Sequence, residues 1–479
     1  MTQVKLISAW FGGVLLLAGA VGILESGAAD VFLEATRPDF QKISGGVLLL
    51  AGAVGILESG AADVFLEATR PDFQKISLGV AGIHSVGGPD WLGGRIEEVL
   101  KKDVKRSLVF DLVDLPGLGI QTSDIGNGVG DGSKAIFRQA AEKGVSVLVW
   151  GKAGLKGSDK EADVNMEGFV YDSGSDELVG GKRYAGSPSV VRLMAHRFAD
   201  ELVFRYTGEP GIARTKIAYV AEQGAARELF VMDYDGHDTR QLTADGFLNL
   251  MPQWSPDRRF LIFTSYRNRN TQNIDMIELA TGKRWTVIAL GGLNITPSLS
   301  PDGNFLAFAS SHEGNSELYR LDTRTKAIHR LTTNPSGDLS PSWSPSGREL
   351  VFVSDRGGGP QLFLMSSDGS NVRRLTFEGD YNAAPSWSPR GNWIAYVCRT
   401  QKEYKLCVIS PDGQKRMQLT TGQGVDDSPS WSPDGRHLVF SSTADGKSHI
   451  YMIDADGKDI ERLTFQGTHN SAPSWSPAS

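Results

Sequence analysis

The chain has 479 residues, a formal net charge of -7 and two cysteines. That length exceeds one ordinary domain, and charges of both signs are interspersed without a Lys/Arg stripe, which excludes a phosphate-tracking nucleic-acid surface. The 56 glycines gather at turn pairs such as Asp368-Gly369, Asp412-Gly413 and Asp456-Gly457, between short β-branched and aromatic runs. This is the pattern of turn-rich all-β structure.

At the amino end Lys5 precedes an apolar stretch over 13–24, which is followed by Glu25-Ser26-Gly27-Ala28-Ala29. Basic, apolar, then small is the layout of a secretory signal. The run is shorter than the ~20 residues a membrane-crossing helix needs, so no span is expected in the mature protein. No Cys lies near the candidate cleavage sites, which excludes a lipid anchor there. Residues 12–44 recur unchanged as 45–77, a direct repeat of 33 residues. It duplicates a signal and the first mature residues rather than a solenoid unit. The expectation is a signal region over 1–62, cleavage after Ala62, and an extended segment over 63–77. Use of the first copy would instead leave the apolar stretch 47–57 on the product.

Residues 78–207 read as a small α/β domain. A buried strand (78–84) leads past Pro89 into a helix with Trp91, Ile96, Val99 and Leu100 at helical spacing. A strand (107–112), a Gly-rich loop, a helix (133–143) and a β-rich run (145–149) follow. The alternating stretches 164–171 and 177–184 form a hairpin around Ser173-Gly174-Ser175. A last amphipathic helix (189–206) places Val190, Leu193, Met194, Phe198 and Leu202 on one face. The glycines of 126–132 lack a preceding strand, the G-x-G-x-x-G spacing and a Lys-Ser/Thr pair, so they read as a loop and not a phosphate cradle. His196 has no second His four residues away and reads as a packed or capping histidine, not a metal ligand.

After a linker over 208–215, one pattern recurs through 216–479. Trp254, Leu299, Trp343, Trp387, Trp431 and Trp475 each precede Ser-Pro, at spacings of 45, 44, 44, 44 and 44 residues. A period in the low forties with several strands per unit is the signature of propeller blades. Ser-Pro-Asp-Gly suits a type I turn. A hairpin follows each turn, an outer strand ends in Leu-Thr, and the Trp is expected to pack between blades. The first unit, 217–243, lacks a Pro-x-Trp-Ser-Pro, and the last residues, 473–477, are that piece alone. The two ends therefore make one blade: a six-bladed β-propeller closed by the C-terminal strand, behind a small N-terminal α/β domain.

Three residues before each Pro stands an Asn or Asp: Asn249, Asn294, Asp338, Asn382, Asp426 and Asn470. On a closed propeller these form a polar ring on one face, near the channel. One reading has them starting the inner strand by local hydrogen bonds; the other has them forming, with Tyr381, Asp427 and His469, a docking rim. A calcium ion on such a ring is chemically admissible but not expected. No His/Glu cluster supplies a general base, and no G-x-S-x-G occurs, so enzyme readings such as a lactonase with a channel metal or a peptidase gate rank behind protein binding. Cys398 and Cys407 lie in neighbouring strands; a disulfide is geometrically open to them, and buried free thiols are the preferred expectation.

The segments 192–200 (Arg-Leu-Met-Ala-His-Arg-Phe-Ala-Asp), 207–211 (Thr-Gly-Glu-Pro-Gly) and 215–220, with the repeats and the terminal Pro-Ser-Trp-Ser-Pro, resemble the TolB family of periplasmic Tol-Pal propeller proteins. The resemblance covers almost everything after the signal. It implies a periplasmic, non-enzymatic monomer that supports outer-membrane integrity and constriction during division. Its propeller face would receive the peptidoglycan-associated lipoprotein Pal, and its first mature residues, Asp63, Val64, Phe65, Leu66, Glu67, Ala68, Thr69 and Arg70, would engage TolA. Further outer-membrane proteins stay open as partners, and an envelope scaffold with other partners is the alternative. Apolar and polar side chains alternate along 63–73 as strand addition requires. The duplication departs from the family and leaves open which copy is presented.

Overall fold

The structure, a computed structural model, describes residues 75–115, 131–156, 163–268, 271–400, 402–467 and 469–478. The signal region, nearly all of the duplicated segment, the stretch 63–73 and the glycines of 126–130 lie outside the described residues.

The α/β domain runs β1 (Ile76–Ser85), α1 (Trp91–Arg106), β2 (Phe110–Val113), α2 (Asp131–Glu142), β3 (Val147–Lys156), β4 (Asp163–Asp172), β5 (Glu177–Gly186) and α3 (Val191–Thr207). Its sheet has the order β2-β1-β3-β4-β5, parallel across the first three strands and antiparallel beyond. Helix α1 buries Leu92, Ile96, Val99, Leu100 and Val104, one stripe at helical spacing. It lies so close to β1 that a Cβ on Gly93 would stand 1.9 Å from the Ile83 carbonyl oxygen.

Two residues expected in the core are exposed. Trp91 is 58% and Leu193 45% accessible, because Leu92 and Met194, one position on, occupy the stripes that face the domain. A one-residue step rotates a side chain by about 100°, enough to leave the buried face.

Six four-stranded antiparallel sheets follow. Blade 1 joins the strand Asn470–Trp475 to Lys216–Gln223, Ala226–Asp233 and Arg240–Gln241; blades 2 to 6 span 249–288, 294–330, 338–374, 382–418 and 426–462. The closing register sets Asn470 opposite Ala221, Ser474 opposite Ala218 and Trp475 opposite Ile217. The C-terminal strand thus supplies the innermost strand of the first blade, as the count of half-units requires, and the circle of blades is closed.

Repeated residues explain repeated geometry. In the Ser-Pro turns the Ser hydroxyl accepts the amide of the strand residue beyond, at 3.0 Å from Phe260, 2.9 Å from Phe305 and 3.0 Å from His437. The five tryptophans are buried. Those at 254, 343 and 431 donate to the carbonyls of Ser474, Ser298 and Ser386 on the preceding blade, at 2.9, 3.0 and 3.0 Å. The Thr of each Leu-Thr accepts an amide inside its own blade: Thr243, Thr332, Thr376, Thr420 and Thr464 take Leu229, Leu318, Leu362, Leu406 and Ile450, each at 2.9 Å.

The cysteines are not free thiols. Cys398 and Cys407 form a disulfide with Cα atoms 5.9 Å apart. Cys398 pairs across the strands with Lys405 and Cys407 with Tyr396, so the two are diagonal neighbours on one face of the sheet, within bridging reach.

Candidate functional site

The inner strands all run from their Asn or Asp to their Trp (Leu299 in blade 3), so the propeller has a loop face at the Asx end and a turn face at the Ser-Pro end. Between them a channel of about 160 Å³ is lined by the residues around each Pro, among them Met251, Thr296, Ser340, Ala384, Ser428 and Ala472. These six precede the prolines and have φ between 47° and 54°, each at a break in strand register. A bulge is tolerated there because the following Pro has no N–H to satisfy in the ladder. Among the described residues no carboxylate or imidazole lines the channel, so that lining offers none of the charged oxygen donors a calcium cage favours.

The six Asx side chains are brought to one ring but do not line the channel. All are buried, from 0% for Asn249 to 3% for Asp426. Asn294, Asn382 and Asn470 each donate to the carbonyl four residues earlier, on Leu290, Glu378 and Gln466, at 2.7, 2.9 and 2.9 Å. Asp338 accepts from Asn334 at 2.7 Å and from Arg356 at 2.7 Å. Asn249 donates to Asp245 at 3.0 Å and Asp426 accepts from Ser442 at 2.5 Å. Of the two readings, burial favours the local one: these side chains hold the loops of the loop face from beneath, and their neighbours form its surface.

Those neighbours include the other three residues singled out from the sequence. Tyr381 packs edge-on against Tyr404, with ring centroids 4.9 Å apart. Burial and then the nearby Asp427 carboxylate push the Tyr381 hydroxyl above its ordinary pKa. Asp427 is solvent-accessible, yet desolvation in its crowded setting raises its carboxyl, against the hydrogen bond it accepts from the Ser428 amide at 2.6 Å. His469 holds the position equivalent to Tyr381 two blades on; desolvation and Arg227 lower its imidazole. Two residues were missed. Phe377 and Phe465 are 72% and 73% exposed on loops of the same face, with Arg374 and Arg462 guanidinium carbons 5.0 and 5.1 Å from their rings. Their signal was the step from Leu-Thr-Ala and Leu-Thr-Thr to Leu-Thr-Phe in two units.

The turn face is covered. Asp103 of α1 accepts from Tyr234 of blade 1 at 2.5 Å and lies 2.7 Å from Nδ1 of His196, all three buried. Burial opposes a charged imidazole, but the Asp103 carboxylate outweighs it and raises the His196 pKa. Around this core Arg106 meets Glu461 at 2.5 Å, Arg192 pairs with Asp235, and Glu209 takes Arg390 and Arg436 at 2.8 and 2.9 Å. His196 is a packed histidine, as expected. Among the described residues the donor atoms of His196, Asp233 and Asp235 lie within 4.8 Å of one another. Lys216 and Arg192 already neutralise the two acids, which weighs against a cation there.

One sheet-and-helix domain seated on a closed six-bladed ring, with the opposite face open, defines a two-domain propeller protein. Residues 203–477 match the family model of the TolB beta propeller domain, and the chain belongs to that family. A Tol-Pal system protein TolB from Desulfosudis oleivorans is 37% identical over 189 residues, 40% of this chain and 42% of the relative. The one from Gluconobacter oxydans is 34% identical over 230 residues, 45% of this chain and 49% of the relative. The chain thus spans less than half the length of these curated relatives. The crystal structure of TolB from Acinetobacter baumannii matches with a TM-score of 0.69 at 25% identity, covering 84% of this chain and 97% of that one. Among the described residues no helix is long and apolar enough to cross a membrane.

Proposed function

We propose that this chain is a periplasmic docking protein of the Tol-Pal system that binds the lipoprotein Pal on the loop face of its propeller and performs no catalysis. The observation that carries the reading is the inequality of the two faces. The turn face is occupied by the chain's own α/β domain, while the loop face surrounds the channel mouth and presents Tyr381, Asp427, His469, Phe377 and Phe465. Exposed aromatics beside arginines are the composition of binding hot spots. In this reading the buried ring from Asn249 to Asn470 fixes the loops in advance of binding, which lowers the ordering cost. The disulfide fits an oxidising compartment.

The segment Asp63 to Phe73 would engage TolA by strand addition, linking the inner-membrane machinery to Pal and so to outer-membrane integrity and constriction. Deleting 63–73 is expected to abolish TolA binding and spare Pal binding; TolA binding retained by the deletion would refute the assignment. Calorimetry with and without a chelator tests the competing reading of a metal-dependent propeller enzyme. No shift in the unfolding transition is expected, whereas a bound structural or catalytic ion would move it.

A further inference from the structure

The tetrapeptide Arg-Leu-Thr-Phe occurs twice, at 374–377 in blade 4 and at 462–465 in blade 6. Its two arginines bond their own turns alike: Nε donates to the carbonyl of the Thr two residues on, at 2.6 Å from Arg374 and 2.7 Å from Arg462. Arg330 of blade 3, in the same strand register, does so at 2.8 Å. The outer nitrogens differ. Those of Arg330 donate to Glu313 and Glu317 at 2.6 and 3.1 Å, and those of Arg462 to Asp445 and His449 at 3.2 and 2.8 Å. Among the described residues those of Arg374 have no hydrogen-bond or ion-pair partner, and the side chain is partly exposed. The cause is a change of residue on the facing loop. Ser310, Ser354 and Ser442 hold equivalent places opposite Asn294, Asp338 and Asp426, and three residues past them stand Glu313, Gly357 and Asp445. A Cβ on Gly357 would lie 3.1 Å from Nη1 of Arg374, so the guanidinium rests where the missing acid would begin. Gln361, in the place of Glu317 and His449, spends its amide on Thr376 at 2.8 Å and the Gly379 carbonyl at 3.1 Å. The neighbouring acids are engaged too: Glu378 pairs with Arg416 and Asp380 with Arg399, while Asp355 lies near Tyr381 and makes no ion pair with Arg374.

We infer that Arg374 anchors a carboxylate side chain, Asp or Glu, of the protein docked on the loop face. The inference rests on the docking reading proposed above and names one contact within it. Charge complementarity commits the occupant. In blades 3 and 6 the same guanidinium is bonded by a Glu or Asp of its own blade, so blade 4 is complete only when an acid arrives from outside. A guanidinium offers a planar pair of N–H groups that matches a carboxylate, which a lysine would not reproduce. Phe377, exposed beside it with the Arg374 guanidinium carbon 5.0 Å from its ring, gives the apolar part of the incoming side chain a surface to cover. An arginine backed by an aromatic is the usual make-up of an interface anchor.

The test is calorimetric titration of purified Pal into the full chain and into two variants. Arg374→Gln keeps the bond to the Thr376 carbonyl within reach, as Gln418 shows by donating to the Thr420 carbonyl at 2.7 Å, so the melting temperature should not change. Pal affinity should fall about tenfold or more, and its dependence on salt should flatten. Gly357→Asp supplies the missing acid from within the blade and should weaken Pal binding in the same direction; it decides the matter should Arg374→Gln not fold. A double-mutant cycle then identifies the occupant. Among Asp→Asn and Glu→Gln substitutions of Pal, one should cost about tenfold against the natural chain and less than about twofold against Arg374→Gln. Equal Pal affinity in the natural chain and a folded variant, or no acid of Pal coupled to Arg374, would overturn this inference and leave the docking reading standing. No Pal binding by the natural chain would overturn both.

Discussion

The two faces of the propeller are built on the same repeating strands and put to opposite uses. On the turn face the Asp103–His196–Tyr234 cluster and its flanking ion pairs, Arg106–Glu461 and Arg192–Asp235, fasten a second domain to the blades. On the loop face comparable polar groups are spent inside the ring of blades: Asn294, Asn382 and Asn470 bond the backbone four residues away and reach the preceding blade at Gln272, Gln361 and His449. The difference teaches that polarity along a propeller axis comes from where a polar side chain is satisfied, not from how many there are. A group satisfied locally leaves the surface above it free for others.

Perturbing each face in turn should keep them distinct. The largest effect belongs to neither face but to the closure that both rest on. Trp475→Ala removes a buried indole that packs on blade 6 and donates to Thr215 at 2.8 Å, and is expected to cost about 3–5 kcal/mol in denaturant unfolding. Asp103→Asn strips the buried turn-face cluster of its charge and should cost about 3 kcal/mol, leaving loop-face binding intact.

The same cluster carries a pH signature. His196 has a raised pKa in the folded chain, so its contribution is complete below the ordinary histidine value of about 6.5 and is lost as pH rises through the raised one. Stability should therefore decline across and above neutrality in the natural chain, and His196→Gln should flatten that slope in a pH series of melting curves. The smallest stability effect is expected on the loop face. Phe377→Ser with Phe465→Ser should change unfolding by less than about 0.5 kcal/mol, yet weaken Pal binding by about tenfold or more.

What was legible in the sequence follows the range of the interactions. The blades, their turns and the pairing of Trp475 with Ile217 were readable because period and local turn chemistry suffice to count strands and find the missing half-unit. The disulfide was not, since it depends on the register that sets Cys398 opposite Lys405. Periodicity brought Trp91 and Leu193 to helices but could not say which flank of the stripe another element covers. The Asx ring shows the limit most clearly: Asn249 to Asn470 have the same spacing whether they face a partner or bond their own loops, and only burial separates the two. Leu299 stood out from the five tryptophans at once, but that it is less buried than they are needed the structure.

Hydrogen exchange of the full chain with and without purified Pal tests the central claim most directly. The account predicts new protection in the loop-face segments around Phe377 to Tyr381, Asp427 and Phe465 to His469, with the turn-face residues Tyr234, Arg390 and Arg436 unchanged. Protection confined to the turn face, or none on either face under saturating Pal, would contradict it.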